Sequence, residues 1–315
     1  MSEVVTLGEA MACLRADGPI NLGGGAHISV AGAEANVAIG LARLGHGVSF
    51  AGAVGPDRLG DLVRRTLRAE GVAVGALRTD PAPTGIVVFE QRMTGVTRVD
   101  YHRRASAGGT LSAGDVESAF ALHPSPPRVL HVTGVTPALG PGPAQAVQAA
   151  VRLARSAGAR VCLDVNHRAR LWSESTARRT LTALAVQADI VVASEEELPL
   201  TGAGGGEAEL VAGLLAAGVS EVVVKRGAAG ASVVTTRETL HLPARPVTAV
   251  DPIGAGDAFV AGYLSGVLDG LPAAARLARG VTTGAFAVAC HGDWEGLPTR
   301  SELDMLDLPD GSAVR

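Results

Sequence analysis

Val129-Leu130-His131-Val132, Val161-Cys162-Leu163-Asp164-Val165, Ile190-Val191-Val192 and Val222-Val223-Val224 are four short apolar runs. They are separated by stretches such as Gln145 to Ala154 and Arg178 to Ala188, which read as helices. Short runs without polar alternation suit strands buried on both faces, and strand alternating with helix implies a mostly parallel sheet. The pattern extends toward the N-terminus: Val4 to Gly8 is a short strand, and Glu34 to Leu44 and Asp57 to Glu70 are helices stopped by Gly45 and Gly71. One region breaks the rhythm. Gly85 to Arg103 holds two extended, β-branched-rich runs around Thr94-Gly95, a hairpin signal rather than a crossover unit. His27 to Val30 reads as a further strand that pairs with the hairpin. The expected architecture is an α/β, doubly wound, mostly parallel sheet flanked by helices. It forms a single domain over residues 1–315, with a small β-sheet lid from about 11–33 and 84–104.

With 47% hydrophobic and 18% charged residues, the 315-residue chain can bury a full core. Its formal charge is −4 and its longest basic runs are the pairs Arg64-Arg65, Arg103-Arg104 and Arg178-Arg179. That argues against a nucleic-acid partner, which requires a concentrated basic face. The start lacks a basic and then apolar leader, and no run of about 18 apolar residues exists to span a bilayer. A cytoplasmic protein without a membrane partner is expected. Cys13, Cys162 and Cys290 lie far apart without a CxxC, so they read as reduced core thiols, with Cys290 in or just past a helix from Thr282 to Ala289. His131 and His167 read as core or edge histidines, and Trp172 as a side chain packing a loop on the core.

The chemistry concentrates in Asp251-Pro252-Ile253-Gly254-Ala255-Gly256-Asp257, a glycine-rich turn that feeds an apolar helix. Glycines permit close backbone approach, and the N–H groups at a helix start form a positively polarised nest for an anion such as phosphate. A carboxylate at Asp257 beside that anion costs electrostatic energy unless it has a task such as taking a proton, a pairing that suggests phosphoryl transfer. Taken alone, the turn also fits a tight entry into a buried helix with Asp257 as a cap. The chain has no GxxxxGK[ST], its single lysine being Lys225, and neither a GxGxxG after the first strand nor a GxSxG. P-loop nucleotide chemistry, hydride transfer and serine hydrolysis therefore lose ground.

Together with Gly32-Ala33-Glu34-Ala35-Asn36-Val37-Ala38, this segment resembles the PfkB, or ribokinase-like, carbohydrate kinases. The resemblance covers essentially the whole chain, including the hairpin, Asp164 to Arg168, Glu195 to Glu197 and Lys225 to Gly230. It implies a ribokinase-like fold and an ATP-dependent sugar kinase in which Asp257 is the general base. The backbone of Gly254, Ala255 and Gly256 would stabilise the transferring phosphoryl group. Magnesium is the implied metal, organised through water by Glu197, and a monovalent cation is compatible with the family. Asn166, Arg168, Ser194, Lys225, Gly227 and Gly230 are the implied nucleotide contacts. For Lys225 an ordinary strand-end charge fits equally, and Gly227 and Gly230 also fit a simple hairpin. Two positions depart from the family: Ser194 replaces an Asn, and Pro252 replaces a common Thr and so removes an N–H.

Within the family, the details look most like 2-keto-3-deoxygluconate kinases, also called 2-dehydro-3-deoxygluconokinases. Gly32, Ala33, Glu34 and Asn36 belong to the substrate motif. Tyr101-His102-Arg103 resembles a Tyr-Tyr-Arg lid segment, and Gly292-Asp293-Trp294-Glu295 resembles the C-terminal turn. The implied reaction phosphorylates the C6 hydroxyl of that sugar acid. An arginine delivered by the lid binds its carboxylate, a tyrosine adds a hydrogen bond, and Gly32, Asn36 and Asp293 hold sugar hydroxyls. Arg168 also serves the substrate, and Phe89 or Val87 stands on the lid strand where a polar ring is expected. Alternation lets only one of Arg103 and Arg104 face the sugar. A fructokinase, a nucleoside kinase and a non-catalytic sugar or nucleotide sensor are the other readings, the last from a different class. The open lid edge suggests a homo-oligomer.

Overall fold

A computed structural model describes residues 2–93 and 96–308. In chain order its elements begin with β1 (Val4–Leu7), β2 (Met11–Ala16), β3 (Ala26–Ala31), α1 (Ala33–Arg43), β4 (Val48–Val54), α2 (Arg58–Ala69) and β5 (Leu77–Thr79). There follow β6 (Ile86–Met93), β7 (Val96–His102), α3 (Ala113–Ala121), β8 (Val129–Thr133), α4 (Pro141–Ser156), β9 (Arg160–Asp164), α5 (Glu174–Ala185) and β10 (Ile190–Ser194). The last are α6 (Glu207–Ala216), β11 (Glu221–Lys225), β12 (Ala231–Val234), β13 (Thr239–Leu242), α7 (Ala255–Leu268) and α8 (Ala273–Val288).

Nine strands form one sheet in the order β13-β12-β11-β10-β9-β8-β1-β4-β5. The run from β11 to β5 is parallel, and β12 and β13 are added antiparallel at one edge. Successive strand residues enter different cores: Cys162, Ile190, Val192 and Val223 pack with α1, α7 and α8, while Leu163, Val191, Val222 and Val224 pack with α4, α5 and α6. Strand alternation thus puts an apolar residue on each face, and helices cover both. The helix stops are as expected, with Gly45 at φ 88° and Gly71 at φ 81° in the left-handed region. Asp57 caps α2 by accepting from the Gly60 amide at 2.8 Å. Two helices begin earlier than their apolar spacing suggests, because Pro141 can occupy the first turn of α4 and Ser173 caps α5.

The small sheet has the order β3-β2-β6-β7. The hairpin β6–β7 forms as expected, although Thr94-Gly95 lies outside the described residues. The expected pairing of His27–Val30 with that hairpin is incorrect. Strand β2 takes the free edge of β6 in parallel, and β3 pairs antiparallel with β2 instead. Met11, Cys13, Ala31, Val87 and Phe89 form the apolar face of this lid, with Ile253 of the glycine-rich turn packed against it. Cys13 and Cys162 are core thiols as expected, but Cys290 is exposed because α8 ends at Val288 and the chain has left the helix. His131 is fully buried on Thr6, His167 is half-buried, and Trp172 packs against the core. Among the described residues no helix is long and apolar enough to cross a membrane.

Candidate active site

The cleft lies between the lid and the C-terminal ends of the parallel strands. At its centre, Gly254 adopts φ 79° as the N-cap of α7, and a Cβ there would overlap the carbonyl of Asp293. Glycine is therefore required on two counts, conformation and space. The turn that follows presents the first-turn amides of α7, which have no intrahelical acceptors, to the cleft. Pro252 has no N–H to offer, and its carbonyl accepts from the Ala255 amide at 3.3 Å.

Asp257 sits in this first turn with only 7% exposure. Asn36 of α1 donates to its Oδ2 at 2.8 Å, and Asn166 donates to its Oδ1 at 3.1 Å. Asn166 follows β9 at φ 38°, a left-handed conformation that Asn tolerates better than most side chains. Burial pushes the Asp257 carboxyl up to about 6, opposed by the Asn36 hydrogen bond and reinforced by Asp164. A carboxylate with that affinity for protons suits a base working near neutrality. Asp164, fully buried at the end of β9, accepts from Lys225 Nζ at 2.8 Å and from Asn166 at 3.3 Å. Burial alone would lower the Lys225 ammonium, but the carboxylates of Asp164, Glu197 and Asp257 outweigh it and hold the ion charged beside Gly256.

Glu197 accepts from the backbone amides of His167 at 2.7 Å and Ser194 at 2.9 Å, while Ser194 Oγ accepts from the Glu197 amide at 3.3 Å. These bonds fix a carboxylate at the cleft wall with lone pairs remaining. It is a hard oxygen donor of the kind that holds the water shell of a magnesium ion. Among the described residues no group of three or more His, Cys, Asp or Glu is placed to hold a metal ion by itself.

At the lid end, Gly32 is the N-cap of α1, and a Cβ on it would strike the Glu9 carbonyl. Arg103 turns inward and Arg104 outward. The Arg103 side chain is 9% exposed, forms an ion pair with the buried Glu9 and lies 5.5 Å from the centroid of the Tyr101 ring. The pair runs through Nη2 to Glu9 Oε2, and Nε makes no hydrogen bond among the described residues. Ser106 supports Glu9 from the far side. Phe89, 6% exposed, and Val87, 1% exposed, share the apolar face of the lid, and Arg168 is exposed at the mouth.

The residues assigned from the sequence to catalysis, sugar, nucleotide and metal border this one cavity of about 1020 Å³, from Gly32, Ala33 and Tyr101 through Asp257 to Ser194, Gly227 and Gly230. Besides Arg103 on Glu9 and Lys225 on Asp164, two more of them have partners outside that set. The carboxylate of Glu34, fully buried, accepts from the Thr133 and Thr136 hydroxyls at 2.6 and 2.5 Å. Both bonds fall on Oε1 and brace α1 against the body, while Oε2 has no hydrogen-bond partner among the described residues. Asp293 accepts from Arg15 of β2 at 2.5 Å. Glu9, Arg15 and Asp164 are absent from the sequence-derived site because their partners are distant in the chain. The only local signal for Glu9 is a lone charge directly after a buried strand. Also unanticipated is the apolar far wall formed by Ala244, Pro246, Val247, Val281, Ala285 and Val288, a slot suited to a flat ring.

A family model described as pfkB family carbohydrate kinase matches residues 1–300. The chain is 37% identical to the 2-dehydro-3-deoxygluconokinase of Bacillus subtilis (strain 168), over 96% of this chain and 94% of that one. It is 36% identical to the fructokinase of Klebsiella pneumoniae, over 86% and 90%. Among solved structures, fructokinase from Vibrio cholerae O395 in its fructose, ADP and calcium ion bound form matches with a TM-score of 0.85. Identity there is 29%, covering 97% of this chain and 99% of that one.

Proposed function

The chain belongs to the pfkB family of carbohydrate kinases, and on that premise we propose that it transfers the γ-phosphoryl group of ATP to the C6 hydroxyl of 2-keto-3-deoxygluconate. The observation that carries the choice of a sugar acid is Arg103. A guanidinium buried in the cleft, with Nη2 on Glu9 and Nε without a hydrogen-bond partner among the described residues, keeps a donor for a substrate carboxylate. An unsatisfied buried donor costs about 1–3 kcal/mol, a cost that a bound carboxylate removes.

The chain's own groups then divide the work. Asp257, held by Asn36 and Asn166, takes the proton of the attacking hydroxyl. The amides that open α7 receive the charge of the transferring group, and Lys225, anchored on Asp164, adds a fixed positive charge near them. When a magnesium ion is bound with the nucleotide, near Glu197, it neutralises phosphate charge. The lid covers the sugar and excludes water. The calcium and ADP of the Vibrio cholerae fructokinase support a divalent cation and an adenine nucleotide.

Replacing Arg103 tests this directly. Arg103→Ala is expected to raise KM for the sugar acid by about 100-fold or more, with kcat less affected. An unchanged KM would remove the carboxylate assignment. One observation favours the fructokinase reading: Glu9 already neutralises Arg103, and a neutral sugar would need only its hydrogen bonds. A cytoplasmic homo-oligomer built on the outer lid strands β3 and β7 accompanies the proposal, with Ile28 of β3 55% exposed. Light scattering of the purified chain reads that state.

A further inference from the structure

Arg15 takes no step in the proposed phosphoryl transfer, yet its side chain crosses from the lid to the glycine-rich turn. It stands on β2 opposite His27 of β3 and Phe89 of β6. Its Nη1 donates to Asp251 Oδ2 at 2.8 Å and its Nη2 to Asp293 Oδ1 at 2.5 Å, with the guanidinium 4.6 Å from the Phe89 ring centroid. The arginine side chain is 18% exposed and each carboxylate 8%.

Both acceptors shape the turn. The Asp251 carboxylate also accepts from the Ile253 amide at 3.1 Å and the Gly292 amide at 3.5 Å, so it joins the entry of the turn to the C-terminal segment. Asp293 supplies the carbonyl against which Gly254 is packed. Two buried carboxylates on either side of this turn repel unless a cation lies between them. A guanidinium reaches both through separate N–H groups, whereas an ammonium is a single point charge. Burial by itself raises the Asp293 carboxyl, and Arg15 is the group that opposes it most.

We propose that Arg15 is a positioning residue for phosphoryl transfer: by bridging Asp251 and Asp293 it ties the lid strand to the Gly254–Asp257 turn, so that lid and anion-binding amides are held in one register. The inference rests on the kinase reading of the cleft but not on the identity of the sugar.

The test compares Arg15→Gln, Arg15→Lys, Asp251→Asn and the Arg15→Gln/Asp251→Asn pair, using the sugar turned over fastest. Turnover is expressed per folded molecule, and amide hydrogen exchange is followed at residues 251–257. Arg15→Gln is expected to lower kcat by about 10- to 100-fold, the effect of a small misplacement of reacting groups. Exchange in the turn should become faster. Arg15→Lys should recover only a minor part of the rate. The double variant should lose no more than the worse single one, because both act on one bridge. The proposal is overturned if Arg15→Gln keeps kcat within about twofold, if the losses add, or if lysine restores full turnover. Should Arg15→Gln not fold, Arg15→Lys carries the comparison. If no sugar is turned over, exchange alone decides: an unchanged rate in the turn would contradict the proposal even though the kinase reading had failed separately.

Discussion

In the nine-stranded sheet, β8 to β11 bury nearly every side chain on two apolar faces, whereas β7 of the lid reads as alternating exposed and half-exposed positions. The body is cohesive through area removed from water. The lid has a small apolar face, and much of what joins it to the body is polar. Arg15 reaches Asp251 and Asp293, Trp294 Nε1 donates to the Val30 carbonyl at 2.9 Å, Ser29 donates to Glu295 at 2.5 Å, and Arg170 donates to the Val99 carbonyl at 2.8 Å. Directional bonds fix a docked position and exchange readily with water when they open, which suits the proposed role of the small sheet as a lid over the sugar. Stability and substrate handling are thus assigned to different interactions.

The sharpest separation should come at their junction. Asp257→Asn is expected to lower kcat by about 10²- to 10⁴-fold while raising Tm. The sign follows from burial. The folded carboxyl titrates at about 6 against an ordinary 3.8, so its stability penalty is absent at acid pH, grows above 3.8 and is complete above 6. The gain in Tm should accordingly be larger at pH 8 than at pH 4.5, and calorimetry at the two values checks it.

A purely cohesive residue should do the reverse. Leu163→Ala, in the fully buried centre of β9, is expected to cost about 2–5 kcal/mol with turnover per folded molecule preserved, as read by denaturation and by assay of the soluble fraction. Trp294→Phe, which deletes the bond to Val30, should cost only about 1 kcal/mol and act chiefly on the sugar KM. If that variant instead lowered Tm as far as Leu163→Ala, the division between body and lid would fail. The smallest effect expected is a pH shift. The acid limb of kcat/KM should fall near pH 6, and Asn36→Ala should move it upward, because the Asn36 hydrogen bond favours the ionised carboxylate.

The same contrast explains what the sequence discloses. Val222-Val223-Val224 cannot alternate in and out of water, so it announces a strand covered on both sides, and the parallel sheet follows. The Gly254–Asp257 turn is equally legible, since a left-handed glycine before an apolar helix is a local feature. Met11–Ala16 is harder. Its alternation places Arg15 on the same face as buried Met11 and Cys13, which is unfavourable until Asp251 and Asp293 arrive from the far end of the chain. Likewise, alternation admits one of Arg103 and Arg104 to the cleft, and only the fold, by bringing Glu9 beneath the lid, selects Arg103. Glu34 is legible only in part: its motif places it at the cleft, but the hydroxyls of Thr133 and Thr136 that engage its Oε1 come from about a hundred residues away.

The measurement that bears most directly on the account is ADP release by the purified enzyme with magnesium and ATP, comparing kcat/KM for 2-keto-3-deoxygluconate with that for 2-keto-3-deoxygalactonate, gluconate, fructose, ribose and adenosine. A preference for the deoxy keto acids of about 100-fold or more, abolished in Arg103→Ala, is the expected result. Equal or better turnover of fructose or ribose would leave Asp257 and its turn in place and contradict the assignment of Arg103 to a substrate carboxylate.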